Sequence, residues 1–329
     1  MTCTPNCAVC GHTVFVTGGT GSFGRAFVKH ILEQHNPERV VVYSRDEQKQ
    51  ADMLRDLTRH RDFLRFRLGD VRDRDRLRMA MPEGAIVVHA AALKIIAFGQ
   101  VNPDEIIKTN VVGTMNVLQA AHEAGAPKTI FISSDKACEP INVYGHSKAV
   151  AEAMVVTWNA YGLPRGHASS CVRYGNVLGS RGSVIELWRE QIAKGLPITI
   201  TDHDMTRFLI TLPQAVALVL QALSLMRGGE IFVPILPAAS VLDLMVAATG
   251  GSQKINYIGA QPGEKMHECL VTASETSRAA WVVQDSLLSI EPTPELSREP
   301  WPNAKIVGSY ISDFANNVPV ERLQEMLNA

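Results

Sequence analysis

The chain has 329 residues, of which 46% are apolar and 20% charged, enough for one large domain or two fused ones around a continuous core. Its formal net charge of −1 provides no whole-protein field that would favour nucleic acid or an anionic membrane. No apolar run approaches the ~20 residues of a membrane span, and residues 1–11 lack the apolar core of a secretory signal, so a cytoplasmic protein is expected.

The first feature in chain order is a cluster of soft ligands, Cys3, Cys7, Cys10 and His12, spaced C-x3-C-x2-C-x-H. Such groups suit zinc, but no second ligand pair follows at finger-like spacing and His12 runs straight into an apolar strand. Residues 1–11 therefore read as a reactive, cysteine-bearing tail, and no metal is expected. Cys138, Cys171 and Cys269 are scattered and read as ordinary reduced thiols.

From there short β-branched runs alternate with helical patterns. Strands are expected at 14–16, 40–43, 63–68, 86–89, 129–133 and 168–172. Helices are expected at 23–34, 47–59, 74–81, 103–124 and about 147–161. Unbroken apolar runs suit strands buried on both faces, and their alternation with helices implies right-handed crossovers in a parallel, doubly wound α/β sheet. Beyond about 176 the rhythm becomes irregular, although a helix at 212–226 and a strand at 230–233 still fit the first sheet. The expected division is a Rossmann dinucleotide-binding domain at 12–176 plus about 206–237, and a smaller substrate-binding lobe at about 177–205 plus 238–329.

The turn after the first strand reads TGGTGSFG, with glycines at 18, 21 and 24. Glycine turns are common, but this one leaves a buried strand and opens a helix, the context that a dinucleotide requires. Gly18 permits the tight turn, Gly21 lets the backbone approach a pyrophosphate at the helix N-terminus, and Gly24 allows close helix–strand packing. After the second strand stand Ser44 and Arg45, with Asp46 next and Lys49 one helical turn on. A hydroxyl, a guanidinium and an ammonium suit the 2′-phosphate of NADP better than the bare hydroxyl of NAD. Asp70 and Val71 follow the third strand, where the adenine is expected.

Tyr144 and Lys148 stand at i and i+4 on one helical face, where an ammonium is expected to lower the phenol pKa and let Tyr144 take a carbinol proton. Upstream, Ser133, Ser134, Asp135 and Lys136 end the fifth strand at its carboxyl edge, where ligands bind in open α/β sheets. A dehydrogenase needs only the Ser134 hydroxyl there. The adjacent acid and base add the means to remove a proton beside a carbonyl and protonate a leaving hydroxyl.

At these residues the chain resembles the extended short-chain dehydrogenases/reductases and, within them, the UDP-N-acetylglucosamine 4,6-dehydratases. The resemblance runs from about 13 to 270. It is most specific at TGGTGSFG, YSRDEQKQ, GDVRD, HAAALK, KTNVVGTMNV, SSDKACEPINVYGHSK, RYGNVLGSRGS, MTRF, GGEIFVP and PGEKMHE. SSDKA followed by NVYGHSK resembles the short inverting enzymes of pseudaminic-acid-type pathways. The resemblance implies that Tyr144, assisted by Lys148, takes the C4 hydroxyl proton as hydride passes to NADP. Lys136 then removes the C5 proton, Asp135 protonates the departing C6 hydroxyl, the hydride returns to C6, and C5 is inverted. It further implies a cofactor set of Gly18, Thr20, Gly21, Ser22, Phe23, Gly24, Ser44, Arg45, Lys49, Asp70, Val71, Ala90, Ala91, Ala92, Asn110, Tyr144 and Lys148. The implied UDP-sugar set is Lys94, Arg173, Asn176, Arg181, Arg207 and Glu264, with Glu264 either holding a substrate hydroxyl or capping the segment that follows. NADP is expected to stay tightly bound and be recycled, and the protein to be a homo-oligomer.

The chain departs from the family pattern in two places near the sugar: Ile95, Ile96 and Ala97 replace the usual His-Val-Pro, and Gln261 replaces an Arg. Three other functions share these motifs. They are a UDP-hexose 4-epimerase or 4-ketosugar reductase, a dehydratase giving a 5,6-ene or a C5-retained product, and a non-catalytic NADP-sensing regulator.

Overall fold

The computed structural model describes residues 7–180, 182–283, 286–292, 309–313 and 318–328. The first half follows the alternation: β1 (Thr13–Thr17), α1 (Ser22–Gln34), β2 (Arg39–Ser44), α2 (Glu47–Asp56), β3 (Leu64–Leu68), α3 (Arg74–Ala80) and β4 (Ile86–His89). Next come α4 (Ile96–Val101), α5 (Pro103–Ile106), α6 (Gly113–Glu123), β5 (Lys128–Ile132), α7 (Val143–Thr157), α8 (Asn159–Gly162) and β6 (Ala168–Val172). The second half comprises β7 (Asn176–Val177), α9 (Val184–Ala193), β8 (Ile198–Ile200), β9 (Thr206–Ile210), α10 (Leu212–Leu225), β10 (Ile231–Pro234) and β11 (Ala238–Ser240). It continues with α11 (Val241–Thr249), β12 (Ile255–Tyr257), β13 (Cys269–Val271), β14 (Ala279–Val283), β15 (Leu287–Ile290), β16 (Tyr310–Ile311) and α12 (Val320–Asn328).

Nine strands form one sheet in the order β14-β15-β10-β6-β5-β4-β1-β2-β3. The run from β10 to β3 is parallel throughout, which explains the unbroken apolar sequence of β1 and β4, buried along their whole lengths. The strand order reverses between β1 and β4, and that switch point opens the crevice where ligands settle in doubly wound sheets. β7, β9 and β11 make a separate small sheet with a core shared by α9, α11 and α12, so Thr206–Ile210, expected in the dinucleotide-binding domain, pairs outside the large sheet.

Three further expectations change. β14 and β15, sought in the smaller lobe, join the large sheet as an antiparallel hairpin beside β10. The helix sought at 147–161 begins at Val143, because the Asn142 side chain caps it by accepting from Gly145 N at 2.7 Å. The helix sought at 103–124 is interrupted by a π-helical stretch, Ile107–Val112. Such a widening is common where a side chain must be presented to a site, and here it contains Asn110. Among the described residues no helix is long and apolar enough to cross a membrane.

Candidate active site

A cleft of about 550 Å³ lies at the switch point, lined by Gly18, Thr20, Gly21, Tyr43, Ser44, Arg45, Asp46, Lys49, Gly69, Asp70, Val71, Ala90, Ala91, Ala92 and Thr109. Eleven of the residues expected around a dinucleotide therefore share one cavity. The glycines are sterically required. Gly18 has φ +66, and a Cβ there would meet Ala91 N at 2.7 Å; one on Gly24 would meet Gly19 Cα at 2.5 Å. α1 starts at Gly21 with no acidic residue in its first turn, so its positive end faces the cleft uncompensated. Thr109 Oγ1 is buried on the same wall and lacks a hydrogen-bond partner, as expected of a group that awaits a ligand. These features fit a bound nicotinamide dinucleotide.

Other expected cofactor residues act differently. Ser22, Phe23 and Gly24 belong to the helix behind the cleft rather than to its lining. Asn110 spends its amide on Leu93 N (2.8 Å), Leu93 O (2.9 Å) and Ser147 Oγ (2.9 Å), so it fixes the loop after β4 against α7. At the adenine end, Arg45 reaches Asp70 at 3.5 Å and Lys49 pairs with Asp46 at 2.5 Å. Both cations are 48% exposed, and such pairs are weak enough for a phosphate to displace.

Past β5, Ser134 caps a short turn, Asp135–Ala137, that delivers the acid–base pair. Asp135 is fully buried and accepts from Ser134 Oγ at 2.7 Å. Lys136 Nζ contacts Asp135 Oδ1 at 3.0 Å, Asn176 Oδ1 at 2.8 Å and Glu268 Oε1 at 3.1 Å. Glu268 was not among the expected site residues, although it closes the PGEKMHE motif; it stands just before β13 and is nearly fully buried. Burial would lower Lys136, but Asp135 and Glu268 outweigh it and hold the ammonium charged. Burial raises Asp135, and Glu268 adds to the rise. Burial also acts to raise Glu268, but Lys136, Arg207 and Lys265 overcome it and keep that carboxyl ionised. The cluster thus holds Lys136 as an ammonium and pulls the two carboxyls apart, Asp135 upward and Glu268 downward.

Tyr144 lies in the first turn of α7, and burial raises its pKa even though Lys136 and Ser134 pull it down. Lys148 Nζ donates to Ile132 O at 2.5 Å and sits 3.9 Å above the Phe131 ring, and it is not among the main groups that shift Tyr144. Burial lowers Lys148 to about 7.

Among the expected substrate ligands, Asn176 joins the Lys136 cluster, and Lys94 reaches Ser180 at 3.4 Å from the loop after β4. Arg173 is corrected: it is 2% exposed and forks onto Glu152 at 2.6 and 3.0 Å, with Glu275 and Leu270 O taking its remaining donors. It is an internal strut. Arg207 is likewise engaged, donating to Thr206 O and Lys265 O at 2.7 and 3.0 Å, which ties the PGEK segment to β9. Glu264 accepts from Gln261 N at 3.3 Å and so caps its own turn. Arg181 lies outside the described residues. The segment around Gly263 crosses onto α4 and the α7 cap, with Gln100 donating to Pro262 O and Asn142 to Gly263 O. Ile96, one of the departures, packs in that contact.

With this geometry in view, the family profile described as polysaccharide biosynthesis protein matches residues 14–287. An inverting UDP-N-acetylglucosamine 4,6-dehydratase of Campylobacter jejuni strain 81-176 is 42% identical over 268 residues, covering 81% of this chain and 79% of its own. A UDP-glucose 4-epimerase of Rickettsia akari is also 42% identical, over 274 residues that cover 81% and 80%. The solved structure of Pen from Bacillus thuringiensis superposes with a TM-score of 0.88 at 35% identity, covering 97% of this chain and 99% of that one. A dTDP-glucose 4,6-dehydratase of Streptomyces venezuelae, solved with NAD, shares the fold at a TM-score of 0.68 and 22% identity, over 77% and 86%. The chain belongs to the polysaccharide biosynthesis protein family, on the extended short-chain dehydrogenase/reductase fold that also carries the inverting UDP-N-acetylglucosamine 4,6-dehydratases.

Proposed function

We propose that this enzyme is an NADP-dependent UDP-N-acetylglucosamine 4,6-dehydratase that inverts C5. The observation that carries the reading is the buried Asp135–Lys136–Glu268 cluster beside Ser134 and Tyr144. Simple oxidation or epimerisation at C4 uses only the hydroxyl and the phenol, whereas eliminating water across C5 and C6 needs an acid and a base. Tyr144 accepts the C4 hydroxyl proton, and Ser134 orients that hydroxyl. A bound nicotinamide supplies the hydride acceptor for C4 and the donor for C6. Asp135, whose carboxyl is pushed up by burial, gives its proton to the departing C6 hydroxyl. Lys136, in its uncharged form, takes the C5 proton, and Glu268 at 3.1 Å then holds the ammonium so formed. Solvent water reprotonates C5 from the opposite face and inverts that centre, and the protons gained by Tyr144 and Lys136 balance the two delivered to the C6 hydroxyl and to C5.

NADP rather than NAD is supported by Ser44, Arg45 and Lys49 around one end of the cleft. A homo-oligomer is supported by exposed apolar side chains on the flanking helices, among them Phe98, Val101, Met115 and Val150. We assign the enzyme to the cytoplasm, where nucleotide sugars and reduced thiols are at hand.

Incubation with UDP-N-acetylglucosamine in deuterated water, without added cofactor, is expected to give a 6-deoxy-4-keto sugar carrying deuterium at C5. A second reading, 4-epimerisation, is favoured by the Rickettsia relative at 42% identity. It would yield a C4 epimer that keeps the C6 hydroxyl and takes up no deuterium. Turnover of a ketosugar only with added NADPH would defeat both.

A further inference from the structure

Within the segment expected as a tail, residues 7–11 are docked. Val9 is fully buried in the main core. Gly11 N donates to Asn36 O at 2.8 Å and Glu38 N to His12 O at 3.0 Å, fastening residues 9–12 along the connection between α1 and β2. This docking brings in a residue that local spacing could not reveal. His35, the residue just after α1, places Nδ1 3.1 Å from Cys7 Sγ, and Cys10 Sγ lies 2.6 Å from Cys7 Sγ. His12, the histidine that the sequence offered, is exposed and outside this cluster.

We propose that Cys7, Cys10 and His35 form a structural site for a zinc-class divalent cation that staples the N-terminal segment to the end of α1. The ligand atoms all lie within 4.8 Å of one another. A tetrahedral zinc ion with sulfur at ~2.3 Å and nitrogen at ~2.0 Å sets its ligands roughly 3.5–3.8 Å apart, so the Cys7–His35 and Cys7–Cys10 separations of 3.1 and 2.6 Å widen when the ion enters between them. The local sequence is Cys-x2-Cys-Gly, and Gly11 adopts φ +72 although a Cβ there would touch nothing within 4 Å. Glycine is required for the backbone turn rather than for space, which suits a tight knuckle that aims two sulfurs at one point. Two soft sulfurs and an imidazole select zinc over magnesium or calcium.

Cys7 is a free thiol, whereas Cys10 is disulfide-bonded. The metal-binding form is therefore the reduced one. A thiol reductant such as glutathione supplies two electrons and two protons to open that disulfide, and each thiol that then binds zinc releases its proton to solvent. The site is remote from the acid–base cluster, so its test is independent of the proposed dehydration.

The full-length protein, purified under a thiol reductant, is expected to carry about one zinc per chain by elemental analysis. Cobalt substitution should give the near-ultraviolet sulfur-to-cobalt band of a thiolate site. Cys7→Ser and His35→Ala should each lower zinc occupancy at least tenfold, while His12→Ala retains it. Circular dichroism of each variant establishes that it is folded, and Cys10→Ser serves as the replacement if His35→Ala is not. A reduced wild-type protein that takes up no zinc overturns the proposal. So does full occupancy in folded Cys7→Ser or His35→Ala, or loss of zinc in His12→Ala.

Discussion

Lys136 Nζ stands 3.1 Å from Glu268 Oε1 and 3.0 Å from Asp135 Oδ1, so a single ammonium is shared by two carboxyl groups from distant parts of the chain. The lysine side chain is 17% exposed and the two acids almost not at all. Burial raises the Asp135 carboxyl, and Glu268 adds to the rise, whereas Lys136, Arg207 and Lys265 together hold Glu268 down.

Removing the Glu268 charge tests this arrangement. In Glu268→Gln, Asp135 becomes the only counter-ion of Lys136, so its carboxyl ionises at lower pH and ceases to be a ready acid. We expect kcat to fall roughly 10–100-fold, the lower end of what a general acid contributes, with KM little changed. The limb of the pH–rate profile set by Asp135 should move to lower pH. An unchanged profile would remove Glu268 from the site chemistry.

Arg173 separates a structural role from a binding role. Its guanidinium joins Glu152 on α7 to Glu275 after β13, inside the protein. Truncation to Ala leaves two buried carboxylates unpaired, which costs about 3–5 kcal/mol. We expect Arg173→Ala to lower the melting temperature by ten degrees or more, while the fraction that remains folded keeps a normal KM for the UDP-sugar. A raised KM in a protein of normal stability would return Arg173 to the substrate site.

The contrast between Arg173 and Glu268 shows what the sequence made legible. β1 to β6 and the glycine turn were readable because their signals are local: unbroken apolar runs, glycines at fixed offsets, a helix opening straight after a strand. Arg173 enters the expected sugar set only through the family resemblance; its burial depends on Glu152 and Glu275, which only the tertiary fold brings near. Glu268 lay in a quoted motif, but nothing in spacing links it to Lys136. The β14–β15 hairpin was missed for the same reason, since strand addition at a sheet edge leaves no periodic mark. His35 is the sharpest case: the metal question was put to His12, the nearest histidine in sequence, whereas the chain folds back to offer another.

On the proposed reading, Arg45 carries the choice of nucleotide. It sits in the cleft with Ser44 and Lys49, and its present partner, Asp70, holds it at 3.5 Å, longer than a good charge-assisted bond. A 2′-phosphate would gain one or two such bonds, each worth about 1.5–3 kcal/mol. In Arg45→Ala we expect NADP to bind some 10–100-fold more weakly and NAD about as before, measured by competition against a fluorescent nucleotide. Equal weakening of both cofactors would mean that Arg45 serves the fold of the adenine pocket instead of reading the phosphate.

Two buried histidines set the response of stability to acid. His89 is held between Thr17 Oγ1 at 2.7 Å and Thr114 Oγ1 at 3.0 Å, and burial with the nearby Lys148 pushes it down to about 3. Burial and His122 push His167 down to about 4. In the unfolded chain both take up a proton near pH 6.5, which the folded protein refuses. Their contribution to stability is therefore complete above that pH. It is lost as pH falls towards the folded values, at about 1.4 kcal/mol per pH unit for each group. His167→Gln offers a clean measurement, because the glutamine amide can replace the 2.9 Å bond from His167 Nε2 to Thr129 Oγ1 and lies far from the cofactor turn. Urea unfolding between pH 4.5 and 6.5 should show a slope shallower by about 1.4 kcal/mol per unit than in the parent, whatever the carboxylates add to both proteins. If the two slopes coincide, His167 binds its proton inside the folded protein, and the strand pair that holds it is open to water.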